Sequence, residues 1–308
     1  RISLYYHYLR WTDIRDSLIN LFHNSIRLEY KLPHASIPKV TISNIPDDCL
    51  KSISSDESIS KLIYNGIIDY SFEEREMKYS FEALHQKALL NKLKYDSNAS
   101  HEAQIKYGFY GEVLLHLILS QIHGTNTLVS RGHFYDPLEN SETKGYDAYH
   151  LLENTNGEIE LWFGEVKFHD DYYVVNDILN KISVSLSDEY FNKTVYSIDE
   201  FFDDIKPNSK LKEIIEDWRN SPSINIANEL KKRNITLVYP MLLIFPDNKK
   251  SFNDIITQCV KYINKRYSSI SFPATYCVKL MFIFLPISES KQIKEQVLSW
   301  ILQKEPLI

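Results

Sequence analysis

Three side chains in one short stretch have the types and spacing that phosphodiester chemistry requires. Asp147 opens a run of β-forming residues that ends at Asn154, and a second such run, Glu158–Lys167, carries Glu165 and Lys167. Between them, Thr155-Asn156-Gly157 is a turn signal. A three-residue hairpin loop commonly ends with glycine in the left-handed conformation, and Gly157 stands at that position. Closing the loop in this way pairs Asn154 with Glu158, and counting back along both strands predicts Asp147 opposite Glu165. Side chains alternate along a strand, so Lys167 shares the face of Glu165. Two carboxylates and an amine are thus expected at one end of a hairpin.

Carboxylates brought together repel unless a cation lies between them. Mg²⁺, or Mn²⁺ in its place, suits such a pair, because it is held by one or two carboxylates and completes its shell with water and substrate phosphate. The ion polarises a phosphoryl oxygen and lowers the pKa of a bound water. A lysine two residues along the strand could position that water or neutralise charge growing on the phosphate. The competing reading is an ordinary ion pair on a wet sheet face. Three features favour chemistry. Glu165 follows the apolar run Leu161-Trp162-Phe163, where charge is costly. Gly145 and Gly164 are expected to leave the backbone open to a ligand. A matching carboxylate stands at the required hairpin position.

These residues resemble the PD-(D/E)XK nuclease superfamily, with Tyr146-Asp147 in place of P-D and Glu165-Val166-Lys167 as the second half. A longer span, 107–173, containing YGFYGEVLLHLIL, KGYDAYH and ELWFGEVKFHDD, is similar to HamA, the nuclease-type component of Hachiman antiphage systems. The resemblance implies a restriction-endonuclease-like α/β core, a mixed sheet flanked by helices. It implies Asp147 and Glu165 as metal ligands, Lys167 as the catalytic lysine, and Glu112 as the helix-borne acidic residue of the site and a further ligand. It also implies DNA as substrate, hydrolysis of the P–O3′ bond to leave a 5′-phosphate, and a HamB-like helicase as partner. A reading from another class is a catalytically silent adaptor that uses the same fold to bind the helicase.

The elements that must position these residues follow from periodicity. A helix over Ser100–Ile122, capped by Ser100, should back the sheet and carry Glu112, with His116 one turn further as a packing residue. Gly108 and Gly111 thin one face of it for close approach. Thr125–Phe134 is expected as the first core strand, with Arg131 and His133 able to meet phosphate if they face the cleft. Lys144, beside Gly145, is a candidate phosphate contact at the mouth of the site, with a solvated loop lysine as the alternative reading. After Lys167 a helix is expected over Tyr172–Leu186, then an acidic amphipathic segment, Asp199–Asn220, interrupted by Pro207 and suited to the surface or a partner. Strand-like Ile235–Phe245 and Val278–Leu285 alternate with helical Phe252–Tyr267 and Glu289–Gln303, and these strands should extend the sheet.

Upstream, Ile2–Tyr8 reads as a strand, Asp13–Tyr30 and Ser71–Lys94 as helices, and Leu32–Asp48 as an extended, proline-punctuated connection. Residues 1–95 therefore form an N-terminal, mostly helical region, and residues 96–308 a nuclease-like core with a C-terminal α/β extension.

Composition narrows the function classes. With 35 Lys and Arg against 41 Asp and Glu the net charge is −6, which is awkward for a free-standing nucleic-acid binder. Either the cations cluster on one face or a partner delivers the nucleic acid. Cys49, Cys259 and Cys277 lack C-x-x-C spacing and read as reduced core residues. There is no phosphate-binding loop, G-x-S-x-G elbow or H-E-x-x-H helix in the sequence. No apolar run reaches membrane-spanning length, and a cytoplasmic protein is expected.

Overall fold

Leu237–Phe245 and Leu280–Leu285 are runs almost free of polar side chains, the pattern of strands covered on both faces. The computed structural model places them at the centre of one sheet. It describes residues 11–32, 46–139, 141–142, 145–169, 174–198, 209–221, 224–267, 269–270, 272–301, 303 and 306–307. The expected strand Ile2–Tyr8 and most of the connection before Asp48 lie outside these residues.

The chain begins with helix α1 (Trp11–Ser25), followed by strands β1 (Ile26–Leu32) and β2 (Asp47–Ser52). The helix expected as far as Tyr30 stops early because Ile26–Leu32 pairs antiparallel with β2. Two further helices follow, α2 (Asp56–Ser71) and α3 (Phe81–Asn91). The sequence reading places one helix over 71–94 and misses α2. Twelve of its residues are buried, including Ser60, Asn65 and Asp69, so no polar stripe marks its period.

The helix expected over Ser100–Ile122 is two helices, α4 (His101–Ile105) and α5 (Phe109–Ile122). Ser100 does cap the first, accepting from the Ala103 amide at 3.3 Å. Lys106–Gly108 interrupt the run, where glycine is a poor helix former and the Tyr110 hydroxyl ties back to the Gln104 carbonyl at 3.1 Å. The strand expected over Thr125–Phe134 shrinks to β3 (Asn126–Thr127), followed by a 3₁₀ turn at Arg131–Phe134. The amides of Leu128 and Val129 both donate to the Tyr149 carbonyl, and the Ser130 hydroxyl donates to the Tyr70 carbonyl. The chain is thereby turned off the sheet toward α2.

A small hairpin, β4 (Tyr135–Asp136) and β5 (Ser141–Glu142), leads to the main one, β6 (Ala148–Glu153) and β7 (Ile159–Phe168). Then come α6 (Val174–Ser185), α7 (Asp188–Ile198), α8 (Lys210–Arg219), α9 (Ile226–Lys232), β8 (Thr236–Pro246), α10 (Phe252–Tyr267), β9 (Val278–Ile287) and α11 (Ser290–Trp300). Residues 199–208 of the expected acidic segment, Pro207 among them, lie outside the described residues, and in α8 Leu211, Ile215 and Trp218 are buried.

The sheet runs in the order β1-β2-β9-β8-β7-β6-β3. β2, β9, β8 and β7 are parallel neighbours, and the outer pairs are antiparallel. The protein is therefore an α/β fold with a mixed sheet flanked by helices, as expected, and the C-terminal strands do extend the sheet. Alternation divides its side chains between two cores. Phe163, Tyr239, Met241, Leu243, Leu280 and Phe282 pack with Val175, Ile178 and Ile182 of α6 and Cys259 and Ile263 of α10. Trp162, Val166, Val238, Leu242, Met281 and Ile283 pack with α1, α2, α3, α5 and α11 on the other side. Cys49 and Cys259 are buried, but Cys277, expected in the core, is exposed.

Candidate active site

The hairpin forms in the expected register. Asn154 takes the carbonyl of Glu158, Gly157 has φ +73°, and pairing continues to Ala148 opposite Gly164. There it departs from expectation. The Asp147 amide donates to the Gly164 carbonyl at 2.8 Å, so the ladder does not continue to a backbone pair between Asp147 and Glu165. Instead the side chain crosses over, and Asp147 Oδ2 accepts from the Val166 amide at 2.8 Å. Asp147 thus reaches the Glu165–Lys167 segment through its carboxylate, because β7 outruns β6 and leaves the Val166 N–H without a strand partner on that side.

Glu165 is buried at 1% exposure. Such a charge is costly without partners, and it has two: Lys167 Nζ donates to Oε1 at 2.7 Å, and Lys181 Nζ of α6 donates to the same oxygen. Asp147 is only partly covered. Desolvation, reinforced by the negative charges of Glu165 and then Glu112, pushes its carboxyl up to about 8, against the opposing pull of Lys167 and Arg131.

Glu112 is buried on α5 rather than lying on a wet face. The Tyr70 hydroxyl of α2 donates to its Oε2, and Arg131 Nε lies 3.7 Å from the same oxygen. Burial raises the Glu112 carboxyl above its ordinary range, with Arg131 opposing. Arg131 is itself buried, donates from Nη2 to Glu142 Oε1 at 2.6 Å, and has no hydrogen-bond partner at Nε or Nη1. Arg131 therefore sits between two glutamates. It also lines a small cavity with Tyr70, His116, Asp147 and His150. His133 pairs with Glu73 at 2.9 Å. Lys144 lies outside the described residues.

The two glycines expected to admit a ligand serve packing instead. A Cβ on Gly145 would lie 2.2 Å from the Tyr149 hydroxyl, which accepts the Tyr146 amide at 2.9 Å. One on Gly164 would lie 2.9 Å from the ring of Pro240. Pro240 sits inside central strand β8, where it has no N–H to offer the ladder, and Gly164 makes room for it. Gly111, by contrast, does allow close approach: a Cβ there would meet Val166 of β7 at 2.9 Å.

Sequence reasoning missed Tyr70, Glu142 and Lys181. Tyr70 belongs to the helix whose period is hidden, and Glu142 to the two-residue strand β5, too short to show a pattern. Lys181 had one usable signal, as a cation flanking the apolar stripe of the helix that follows the E-x-K strand.

His116 is buried, as a packing residue should be, and is wired into a polar chain. Its Nδ1 is 3.1 Å from His150 Nε2, and His150 Nδ1 is 2.8 Å from Thr125 Oγ1.

The donor set suits a hard cation. It offers carboxylate oxygens, and the repulsion from Glu165 and Glu112 that adds to desolvation at Asp147 is one a divalent ion relieves. Among the described residues no three His, Cys, Asp or Glu side chains form a ready cage. Mg²⁺ needs only one or two carboxylates with water and phosphate, so Asp147 and Glu165 fit it without a third.

Among the described residues no helix is long and apolar enough to cross a membrane. Comparison with curated proteins and with solved structures returned no match. A family model described as HamA matches residues 11–301, nearly the whole chain, which therefore belongs to the HamA family, a membership that suggests a component of a Hachiman antiphage defence system.

Proposed function

We propose that the protein hydrolyses phosphodiester bonds of DNA as the metal-dependent nuclease of its defence system. The reading is carried by one observation: the Asp147 carboxylate is fixed beside buried Glu165, and Lys167 contacts Glu165 at 2.7 Å. Asp147 and Glu165 would hold Mg²⁺. When bound, the ion polarises a phosphoryl oxygen and lowers the pKa of its water. Lys167 orients the attacking water or neutralises charge on the phosphate. Glu112, gripped by Tyr70 and Arg131, supplies a further negative charge behind the pair and ties the site to α2 and α5. The net charge of −6 favours delivery of the nucleic acid by a partner, and a HamB-like helicase is the proposed one.

Nuclease activity on linear, circular and single-stranded DNA, with Mg²⁺ or EDTA and with or without the helicase, tests this. Cleavage is expected with Mg²⁺ and not with EDTA. Asp147→Ala and Lys167→Ala are each expected to lower it about a hundredfold or more. If no combination cuts DNA while helicase binding persists in both variants, the protein is a silent adaptor.

A further inference from the structure

Lys181 stands outside the E-x-K motif and on a different element, yet it shares one oxygen of Glu165 with Lys167. Its position is not accidental to a floppy segment. Val175, Ile178 and Ile182 are fully buried and seat α6 on the sheet. One turn beyond Lys181, the Ser185 carbonyl accepts the Tyr146 hydroxyl at 2.5 Å. Residues four apart share a helix face, so the face carrying Lys181 is fastened to the residue immediately before Asp147.

The two lysines differ in freedom. Lys167 is 19% exposed and lies within β7, whereas Lys181 is 50% exposed at the end of a flexible stem. Two ammonium groups on one oxygen repel each other. A divalent cation arriving at the same carboxylate adds repulsion, and the group with less solvation to regain and the more confined stem stays. Lys181 is the one free to leave.

Resting on the nuclease reading, we propose that Lys181 is an exchangeable counter-ion of the site. It neutralises Glu165 in the metal-free protein, then yields that oxygen to the cation and moves to a backbone phosphate of the bound strand. It is thereby a substrate-binding residue as well as a competitor of the metal.

Two binding measurements on the full chain test this. Mn²⁺ alone is titrated by calorimetry into wild type, Lys181→Ala, Asp147→Ala and the control Lys193→Ala, an exposed lysine paired with Glu189 on α7. DNA binding is measured against salt concentration in Ca²⁺, with duplex and single-stranded oligonucleotides. Lys181→Ala is expected to bind Mn²⁺ several-fold more tightly than wild type. The slope of log K against log salt should fall by about 0.9 for duplex or about 0.7 for single strands, the loss of one phosphate contact. The Lys193 control should change neither. The proposal is overturned if Asp147→Ala loses Mn²⁺ while Lys181→Ala matches the control in both assays. If wild type itself takes up no Mn²⁺, the nuclease reading falls and the proposal with it.

Discussion

Asp147 is both fixed and perturbed by its neighbours on β7. Its carboxyl group replaces the missing strand partner of the Val166 amide, and the nearby charge of Glu165 helps to raise its pKa. The residues around it are correspondingly intolerant. Gly145 lies two positions upstream, and a methyl group there would collide with the Tyr149 hydroxyl. Gly145→Ala is expected to cost about 1–3 kcal/mol, as overpacking does. Displacing the Tyr149 contact to the Tyr146 amide should also shift Asp147 and lower cleavage. Chemical denaturation read beside nuclease rates will show whether both fall. A stable variant with full activity would mean that the loop relaxes without moving the carboxylate.

The site joins elements distant in sequence. Hairpin β6–β7 supplies Asp147, Glu165 and Lys167, α5 supplies Glu112, α2 supplies Tyr70, and α6 brings Lys181. Helix α6 depends on apolar burial more than on propensity, since Ile182 is fully buried against the sheet. Ile182→Ala is expected to destabilise the protein by about 2–5 kcal/mol, the transfer loss plus the cavity. Urea denaturation followed by tryptophan fluorescence measures it. Helix α2 contributes differently: its Asp69 accepts from Trp11 Nε1 and pairs with Arg15 of α1, so the layer behind the site is itself held by a buried charge.

Stability of the whole molecule should depend on pH through His85. This residue is fully buried on α3 against Tyr64 and Phe81, and desolvation lowers its pKa from 6.5 to about 4. The unfolded chain therefore binds a proton that the folded one refuses between those values. The penalty is absent well above pH 6.5, grows as pH falls, and is complete below about 4. Between pH 7 and pH 5 this single group should remove about 2 kcal/mol. Comparing wild type with His85→Leu by urea denaturation at both pH values isolates it. Equal pH dependence in the two proteins would show that His85 does not titrate as its burial implies. The strand order carries a second consequence. Because β2 pairs with β9, and α2 packs in the same core as α5 and α11, a fragment starting at residue 96 loses one side of its sheet and much of a core. It is expected to be insoluble or unfolded, as circular dichroism and gel filtration would reveal.

Local information was enough for the hairpin. Turn chemistry at Gly157 and the count back along both strands set the register through Ala148, and from there the Asp147 side chain reaches the Val166 amide between Glu165 and Lys167. The apolar runs of β8 and β9 and the periodicity of α6 and α10 were equally legible, because each pattern spans several turns or pleats of a single element. Long-range packing decided the rest. Burial of polar Ser60, Asn65 and Asp69 concealed α2, and with it Tyr70. The chain at residues 128–130 leaves the sheet because Tyr149 and Tyr70 offer it carbonyls, a competition no local propensity records. Gly145 and Gly164 make room for Tyr149 and Pro240 rather than a ligand, which depends on neighbours that only the fold supplies. Lys181 meets Glu165 across sixteen residues for the same reason: α6 is docked by its apolar stripe, and the lysine goes where the docked helix puts it.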